Sequence, residues 1–211
     1  MAWILTPAQE RNSRGAPFGI VLLLVFSALA LSVAPVMMPD GYSWITHTTS
    51  ESAAQNLEGA WLARLGFLLL GMAVTWLAGA SKTTWALGAY WMHLSFAVFM
   101  LSTAVFSHQP WLSGVAFDPM EDMLHSITAT AMGFAFSFGV LFRLMQRWQI
   151  ERRVDIVDAI ALLSAILIPF AMLFLSDLAG LMQRGMFLVA YLWYVKEALV
   201  LQSHKRSTGH I

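Results

Sequence analysis

The sequence predicts an all-α integral membrane protein with six transmembrane helices, and three observations lead to that prediction. Of the 211 residues, 58% are hydrophobic and only 11% are charged, whereas a soluble domain carries about 25% charged residues. The mean hydropathy is +0.66. The apolar residues are gathered in six blocks separated by short polar segments. Because so little polar surface could face water, most of the chain has to face lipid.

The composition also excludes several functions. The formal net charge is zero, so no basic excess is present to neutralise phosphates and nucleic acid is excluded as a partner. Cysteine is absent, which excludes disulfides, thiolate metal sites and cysteine nucleophiles. The expected partners are membrane lipids and other membrane protein subunits, and the sequence leaves the cofactor open.

The first apolar block is predicted to cross the membrane after a polar cytoplasmic segment at residues 1–17. Residues 18–37 are long enough for a span, which takes about 20 residues. The block also has the layout of a signal peptide, with arginines before the apolar run and Ser-Val-Ala ending at Ala34. Pro35 would follow the cut and disfavours cleavage, so we expect the block to be retained.

The longest polar stretch follows the first span, at residues 42–58. Thr48 and Glu51 have the spacing of a capping box, which predicts a short helix over about residues 49–57. Tryptophans flank this stretch on both sides, and tryptophan favours the membrane interface because its ring is apolar while its N–H binds water. The stretch is therefore expected to lie at the membrane surface.

The remaining apolar blocks predict five more spans joined by short connectors. One connector, at residues 146–153, is basic, and a short loop is expected at residues 176–183. The five predicted spans are 61–78, 84–106, 121–144, 155–175 and 184–201, and residues 202–211 form the tail.

Positive charges gather in alternate connections, which predicts the orientation. Lysine and arginine are enriched on the cytoplasmic side of membrane proteins. The basic residues of the alternate connections are Arg11, Arg14, Lys82, Arg143, Arg147, Arg152, Arg153, Lys205 and Arg206. Both termini are therefore predicted to be cytoplasmic, and the polar stretch after the first span is predicted to be extracytoplasmic.

Ionisable residues gather at the predicted extracytoplasmic rim, which makes it the first candidate site. Asp122 and His125 lie three residues apart, on one side of a helix. This spacing suits a metal-ligand pair or a carboxylate-oriented histidine that acts as a base. Acidic residues at a helix N-terminus are also favoured by the helix dipole alone. The candidate residues are His47, Glu51, Arg64, Asp122, His125 and Arg184.

Contacts within this rim can be predicted from charge. Charged groups near the membrane edge are usually paired. Glu51 is expected to reach Arg64 or Arg184, with an anionic lipid head group as the alternative partner for the arginines. His47 is expected to lie near the pair formed by Asp122 and His125. Two interpretations of these charged residues stay open: they form structural ion pairs between helices, or they form a ligand site.

His93 lies near the middle of the third predicted span, where an ionisable group is a functional candidate by default. The alternative is a neutral histidine bonded to a backbone carbonyl, Ser95 or Ser102. Its depth differs from that of His125 by about 10 Å, so the two are not expected to share a haem.

Four charged residues at the cytoplasmic ends of the fifth and sixth spans are assigned no function. Asp155 and Asp158 are explained by helix capping and pairing with neighbouring arginines. Lys196 and Glu197 can extend to the membrane surface along their aliphatic stems.

Four short runs carry a family resemblance: His47-Thr48-Thr49-Ser50-Glu51, Leu62–Phe67, Asp122–His125 and Gly180–Arg184. Together they resemble the bacterial multi-pass membrane family called domain of unknown function 998. The resemblance covers most of the chain and implies six spans in a bacterial cytoplasmic membrane, with a polar outer loop after the first. The family has no assigned activity. Ser52-Ala53 stands where the family usually has a Leu-Gly pair.

A looser likeness is to the intramembrane hydrolases that include alkaline ceramidases. Ser50, Asp122, His125 and His93 offer the residue types that this group uses to hold zinc. The seventh span of that group is missing here, and so is the paired-histidine motif in the last helix.

These observations favour a non-enzymatic role, as a lipid- or small-ligand-binding protein or as an accessory subunit of a larger membrane complex. No catalytic or metal-binding residue is assigned. Two alternatives stay open. One is a metal-assisted hydrolase that acts on lipid at the extracytoplasmic rim, and the other is a small proton-coupled transporter that uses His93 and the outer carboxylates.

Overall fold

The computed structural model describes the backbone of residues 7–208 and the side chains of residues 15–203. Within that range the chain forms six α-helices and no strand, which confirms the all-α prediction. Four of the basic residues behind the predicted orientation (Arg11, Arg14, Lys205 and Arg206) lie outside the described side chains. The helices are α1 Pro7–Val33, α2 Ala60–Ala80, α3 Leu87–Val105, α4 Pro119–Glu151, α5 Ile156–Met172 and α6 Ala179–Thr208.

Four helices in the described part of the chain are long and apolar enough to cross a membrane. They are α1 with the 3₁₀ turn that follows it, α2, α3 and α4. Helix α5 is apolar but has only 17 residues, and α6 carries Lys196 and Glu197 within its length. The protein is therefore a multi-pass membrane protein.

The bounds of α4 differ from the predicted fourth span. The side chain of Asp118 accepts a hydrogen bond of 2.8 Å from the N–H of Met120, and Pro119 occupies the first turn, so the helix has a regular start. At its other end the helix continues to Glu151, through most of the stretch predicted as a basic connector. Because that stretch is helical, Arg147 faces the neighbouring helices, whereas Arg152 and Arg153 follow the end of the helix and are exposed.

The helix predicted over residues 49–57 is wrong, because only a 3₁₀ turn forms at Glu51–Ala53. The predicted capping box is present: Thr48 N–H donates to Glu51 Oε2 at 2.6 Å, and Glu51 N–H donates to Thr48 Oγ1 at 3.2 Å. The turn stops because Ala54 is extended and Asn56 has a positive φ of 56°. Neither conformation continues a helix.

The helices form a ring in chain order, and α6 closes it by packing against α1. Side chains from most of the helices fill the interior; the largest fully buried ones include Leu70, Met100, Val140, Trp193 and Tyr194. Helix α5 contributes least to the core, since only Asp158, Ala161 and Ala165 are buried along its length.

The two ends of the ring differ in their connections. One end carries the segment of residues 38–59, called the cap below, together with the α3–α4 loop and the α5–α6 connection. We call it the cap end. The α2–α3 and α4–α5 connections lie at the other end, which holds a cluster of buried charges and is called the network end.

Candidate functional site

The cap is fixed to the first turn of α6 by backbone and side-chain hydrogen bonds. Gly180 N–H donates to the carbonyl of Thr46 at 3.2 Å. Gln183 Oε1 accepts from the N–H of Thr49 at 2.7 Å and from its hydroxyl at 2.5 Å. A Cβ atom on Gly180 would clash with the carbonyl of His47, so glycine is required for this close approach.

Arg184 extends the same attachment. Its Nη1 donates to the carbonyls of Trp44 at 2.9 Å and His47 at 2.8 Å, and its Nη2 donates to the Tyr42 hydroxyl at 2.7 Å. That hydroxyl in turn donates to the carbonyl of Thr48 at 2.9 Å. Burial raises the pKa of Tyr42, against the opposing effect of the nearby Arg184. The hydroxyl therefore stays protonated and able to donate.

Arg64 holds the cap from the side of α2. Its Nε and Nη2 donate to the carbonyls of Ala53 and Ala54, each at 3.0 Å. Glu51 bonds within the cap, to Thr48. Among the described residues, no ion pair joins Glu51 to an arginine, so the predicted pairing is wrong. The arginines satisfy cap carbonyls because an irregular segment leaves those groups without helical partners.

His47 lies inside an aromatic group and not beside the acidic start of α4. Its Nδ1 accepts a hydrogen bond of 2.8 Å from the N–H of Ser43. Its ring centroid lies 4.6 Å from that of Trp111 and 5.1 Å from that of Tyr42. The prediction that His47 approaches Asp122 and His125 is therefore wrong.

Asp122 and His125 both hold the α3–α4 loop. His125 Nδ1 lies 2.8 Å from the carbonyl of Phe106, and because a carbonyl only accepts, Nδ1 carries the proton and Nε2 is the acceptor. Asp122 Oδ1 accepts from Gln109 N–H at 2.7 Å and lies 3.9 Å from His108 Nδ1. A carbonyl therefore orients the His125 imidazole, and the predicted carboxylate-oriented histidine is not formed.

Gln55 joins the cap to the α3–α4 loop and is only 4% exposed. Its Nε2 donates to the carbonyls of Ser107 at 2.9 Å and Asp118 at 3.0 Å, and its Oε1 accepts from Asp118 N–H at 2.7 Å. The cap, the α3–α4 loop and the start of α6 thus form one connected surface.

Several buried polar atoms at this surface have no hydrogen-bond partner in the protein. An unsatisfied buried group costs about 1–3 kcal/mol, so such atoms mark positions able to bind water or a ligand. Five are found among the described side chains, and four lie at the cap end: Ser107 Oγ, Trp111 Nε1, His125 Nε2 and Arg184 Nε. The fifth is His93 Nε2.

His93 is fully buried in an aromatic cage between α3, α4 and α6. Its Nδ1 lies 3.1 Å from the Tyr194 hydroxyl, a partner that the sequence did not predict, and the backbone of Gly139 also interacts with the ring. The ring centroids of Trp193 and Trp85 lie 4.6 Å and 4.9 Å from its own. A Cβ atom on Gly139 would come within 2.7 Å of the imidazole. The cage therefore leaves no room for a larger group beside His93.

The network end holds a buried ionic network that was not predicted from the sequence. Arg147 on α4 pairs with both Asp158 on α5 and Glu197 on α6. Arg143 adds a second contact to Glu197, with Nη2 and Oε2 at 3.0 Å. The full set is Arg143, Arg147, Asp155, Asp158, Lys196 and Glu197.

Lys196 completes the network from α6. Its Nζ lies 2.7 Å from Asp155 and 2.9 Å from Asp158. Trp193 Nε1 donates to Asp158 at 2.8 Å and so connects the network to the cage around His93. Three cations balance three anions, and no buried side-chain atom of these six residues lacks a partner in the described structure.

A spacing signal could have revealed this network. Arg143 and Arg147 lie four residues apart, as do Trp193 and Glu197, so each pair shares one face of its helix. In the sequence alone, the arginines fit the orientation bias, Asp155 and Asp158 fit helix capping and local pairing, and Lys196 and Glu197 fit extension to the membrane surface. Asp155 does cap α5, since it accepts from Val157 N–H at 2.9 Å.

The described residues contain no group of three or more histidine, aspartate or glutamate side chains that could hold a metal ion. The residues predicted at the rim fall into two groups. His47 and Glu51 belong to the cap, and Arg64 on α2 and Arg184 on α6 bind it. Asp122 and His125 lie on α4 and bind the α3–α4 loop. His93 is remote from both.

A family model described as a protein of unknown function (DUF998) matches residues 20–200. No curated protein matches the chain, and no solved structure does.

Proposed function

Because the chain belongs to the DUF998 family of proteins of unknown function, its role has to be inferred from its own residues, and we propose that it binds a lipid or another small ligand at its cap end. The family match confirms the resemblance drawn from the sequence. The proposed role is non-enzymatic binding, either for its own sake or as an accessory subunit of a larger membrane complex.

One observation carries this proposal: unpartnered buried polar atoms concentrate at the cap end. Ser107, Trp111, His125 and Arg184 each hold one such atom there. The ionic network at the opposite end is satisfied by its own members among the described residues. A ligand therefore gains more from hydrogen bonding at the cap end than at the network end.

We place this site at the extracytoplasmic surface of a bacterial cytoplasmic membrane. The placement rests on six spans with both termini in the cytoplasm. It is supported by the basic residues at the network end, such as Arg152 and Arg153, and by the acidic residues at the cap end, such as Asp177.

The experiment that tests the proposal identifies what stays bound after mild purification. Native mass spectrometry would compare the wild type with Trp111→Phe and Ser107→Ala, each of which removes one unpartnered atom and little volume. We expect both variants to retain less ligand than the wild type. Ser203→Ala, an exposed serine at the network end, is the control. Equal retention by wild type and cap variants would contradict the proposal.

A proton-coupled transporter is the second candidate, and the environment of His93 favours it. The unpartnered Nε2 is fully buried, and Trp193 connects the cage to Asp158. Buried histidines and carboxylates are the usual elements of proton relays in membranes. Proton-driven flux in reconstituted vesicles that His93→Ala abolishes would support a transporter, and flux that survives the substitution would count against it.

The metal-assisted hydrolase has less support from the geometry. It requires ligands that converge, whereas Asp122 and His125 bind separate backbone groups of the α3–α4 loop. Zinc that is bound to the purified wild type and lost in His125→Ala would support the hydrolase hypothesis.

A further inference from the structure

We infer that the cavity at the junction of the cap with α2 binds a phospholipid head group that contains both a phosphate and a primary ammonium, as in phosphatidylethanolamine. This inference rests on the proposed function, because it names the class of ligand bound at the cap end. The cavity has a volume of about 560 Å³ and is lined by residues that include Met37, Asn56, Leu57, Glu58, Trp61 and Arg64.

The cavity carries one positive and one negative side chain that are not paired with each other. Arg64 uses Nε and Nη2 to bind the carbonyls of Ala53 and Ala54, which leaves Nη1 free to donate. No carboxylate among the described residues lies within 4.0 Å of it. Glu58 is exposed and has no hydrogen bond or ion pair in the described part of the chain.

The separate charges of Arg64 and Glu58 are complementary to a zwitterionic head group, which carries one negative and one positive group. A phosphate accepts hydrogen bonds from the guanidinium of Arg64. A primary ammonium donates three hydrogen bonds and can bind the carboxylate of Glu58. The same molecule satisfies both residues, whereas an anionic head group brings the same phosphate without an ammonium and leaves Glu58 without a partner.

The remaining walls suit the lipid backbone next to the head group. Met37 and Leu57 provide apolar surface. Trp61 is 58% exposed at the start of α2, and tryptophan prefers the depth at which head groups meet acyl chains. The cavity therefore lies at the level of a phospholipid head group.

Competition between lipids tests the inference. Delipidated protein would be titrated with equal amounts of phosphatidylethanolamine and phosphatidylglycerol of the same chain length, and the adducts counted by native mass spectrometry. Since one solvent-exposed charge pair separates the two lipids, we expect a preference for phosphatidylethanolamine of about fivefold. Phosphatidylcholine, whose ammonium has no N–H donor, is expected to bind less well than phosphatidylethanolamine.

Two substitutions at Glu58 test whether this residue causes the preference for phosphatidylethanolamine. Glu58 is exposed, so changing it should not impair folding. Glu58→Gln should abolish the preference, and Glu58→Lys should reverse it in favour of phosphatidylglycerol. Asp177→Asn, an exposed acid at the cap end that does not line the cavity, is the matched control and should leave the preference unchanged.

The outcomes separate this inference from the proposed function. Equal binding of both lipids by the wild type, or a preference that survives Glu58→Gln, would overturn the inference while lipid binding itself stands. If neither lipid binds and no ligand is retained from the native membrane, the proposed function fails together with the inference.

Discussion

At the scale of single residues, the packing around His93 shows how closely two helices have to approach. Gly139 on α4 faces the edge of the imidazole, and a Cβ atom there would lie 2.7 Å from Cε1 and 2.8 Å from Nε2. The ring cannot move aside, because Trp85, Trp193 and Tyr194 surround it. Glycine at this position is therefore a packing requirement of the α3–α4 contact.

We predict that Gly139→Ala destabilises the protein by about 1–3 kcal/mol, the usual cost of overpacking a core. Thermal unfolding in detergent would measure the loss. Gly133→Ala on the same helix is the control, since nothing lies within 4 Å of its Cβ position. In a His93→Ala background, Gly139→Ala should cost much less stability, because the imidazole that the new methyl group meets is gone. If Gly139→Ala leaves the thermal stability unchanged, the aromatic cage around His93 has room for an additional methyl group and the prediction is wrong.

The sequence identified the residues of the cap end better than it identified their partners. Arg64, Arg184 and Glu51 are prominent in the sequence as charged groups near the membrane edge, and all three make hydrogen bonds at the cap end. Charges were expected to pair with charges, but both arginines bind carbonyls of the cap. The geometry of an irregular segment determines which carbonyls are free, and no periodic pattern in the sequence encodes that geometry.

At the scale of elements, the ionic network joins α5 to both of its neighbours in the ring, α4 and α6. The buried residues of α5 are Asp158, Ala161 and Ala165, and only Asp158 is polar. That carboxylate receives Arg147 from α4 and both Lys196 and Trp193 from α6. The network therefore fixes the position of α5 at one end, while its second half stays largely exposed.

Removing the shared cation should be costly. In Arg147→Met, Asp158 and Glu197 would lose a buried partner, and breaking a buried ion pair from one side costs about 3–5 kcal/mol. Thermal unfolding in detergent would record this loss. Arg153→Met, whose side chain is 79% exposed beside Glu151, should change stability little. Comparable stability of the two variants would contradict a structural role for the network.

The cap is the second element held by specific polar contacts, and Arg184 is its main attachment to α6. Arg184→Gln removes charge-assisted hydrogen bonds to the carbonyls of Trp44 and His47. We predict amide hydrogen exchange in the cap that is faster by at least tenfold, because the loss of even one such bond costs about 1.5 kcal/mol. Lys82→Gln, an exposed lysine in the α2–α3 connection, is the control. Unchanged exchange would show that the cap is held elsewhere.

Helices were more predictable than the segments between them. Long apolar blocks indicate helices because a membrane leaves the backbone few alternatives. The cap was predicted as a helix from its capping box, which does form, but the chain leaves helical geometry after Ala53. Tertiary hydrogen bonds of Gln55 to the α3–α4 loop compete with the helix there. The ionic network was missed for a related reason, because its pairs join residues distant in sequence.

At the scale of the whole molecule, the two ends of the ring should lie on opposite sides of the membrane. Reporter fusions after Ser107, in the cap-end loop, and after Arg153, at the network end, should therefore report opposite compartments. The bias of basic residues predicts that the Ser107 fusion is extracytoplasmic. Matching reports from the two fusions would refute the six-span arrangement.

The central claim is that the cap end, and not the network end, receives a ligand. Hydrogen exchange of delipidated protein, with and without phosphatidylethanolamine in nanodiscs otherwise made of phosphatidylcholine, tests it most directly. We predict slower exchange on addition of phosphatidylethanolamine in residues 42–64 and 106–125, and no change in residues 143–158. Protection confined to residues 143–158, or none at the cap end, would contradict the account.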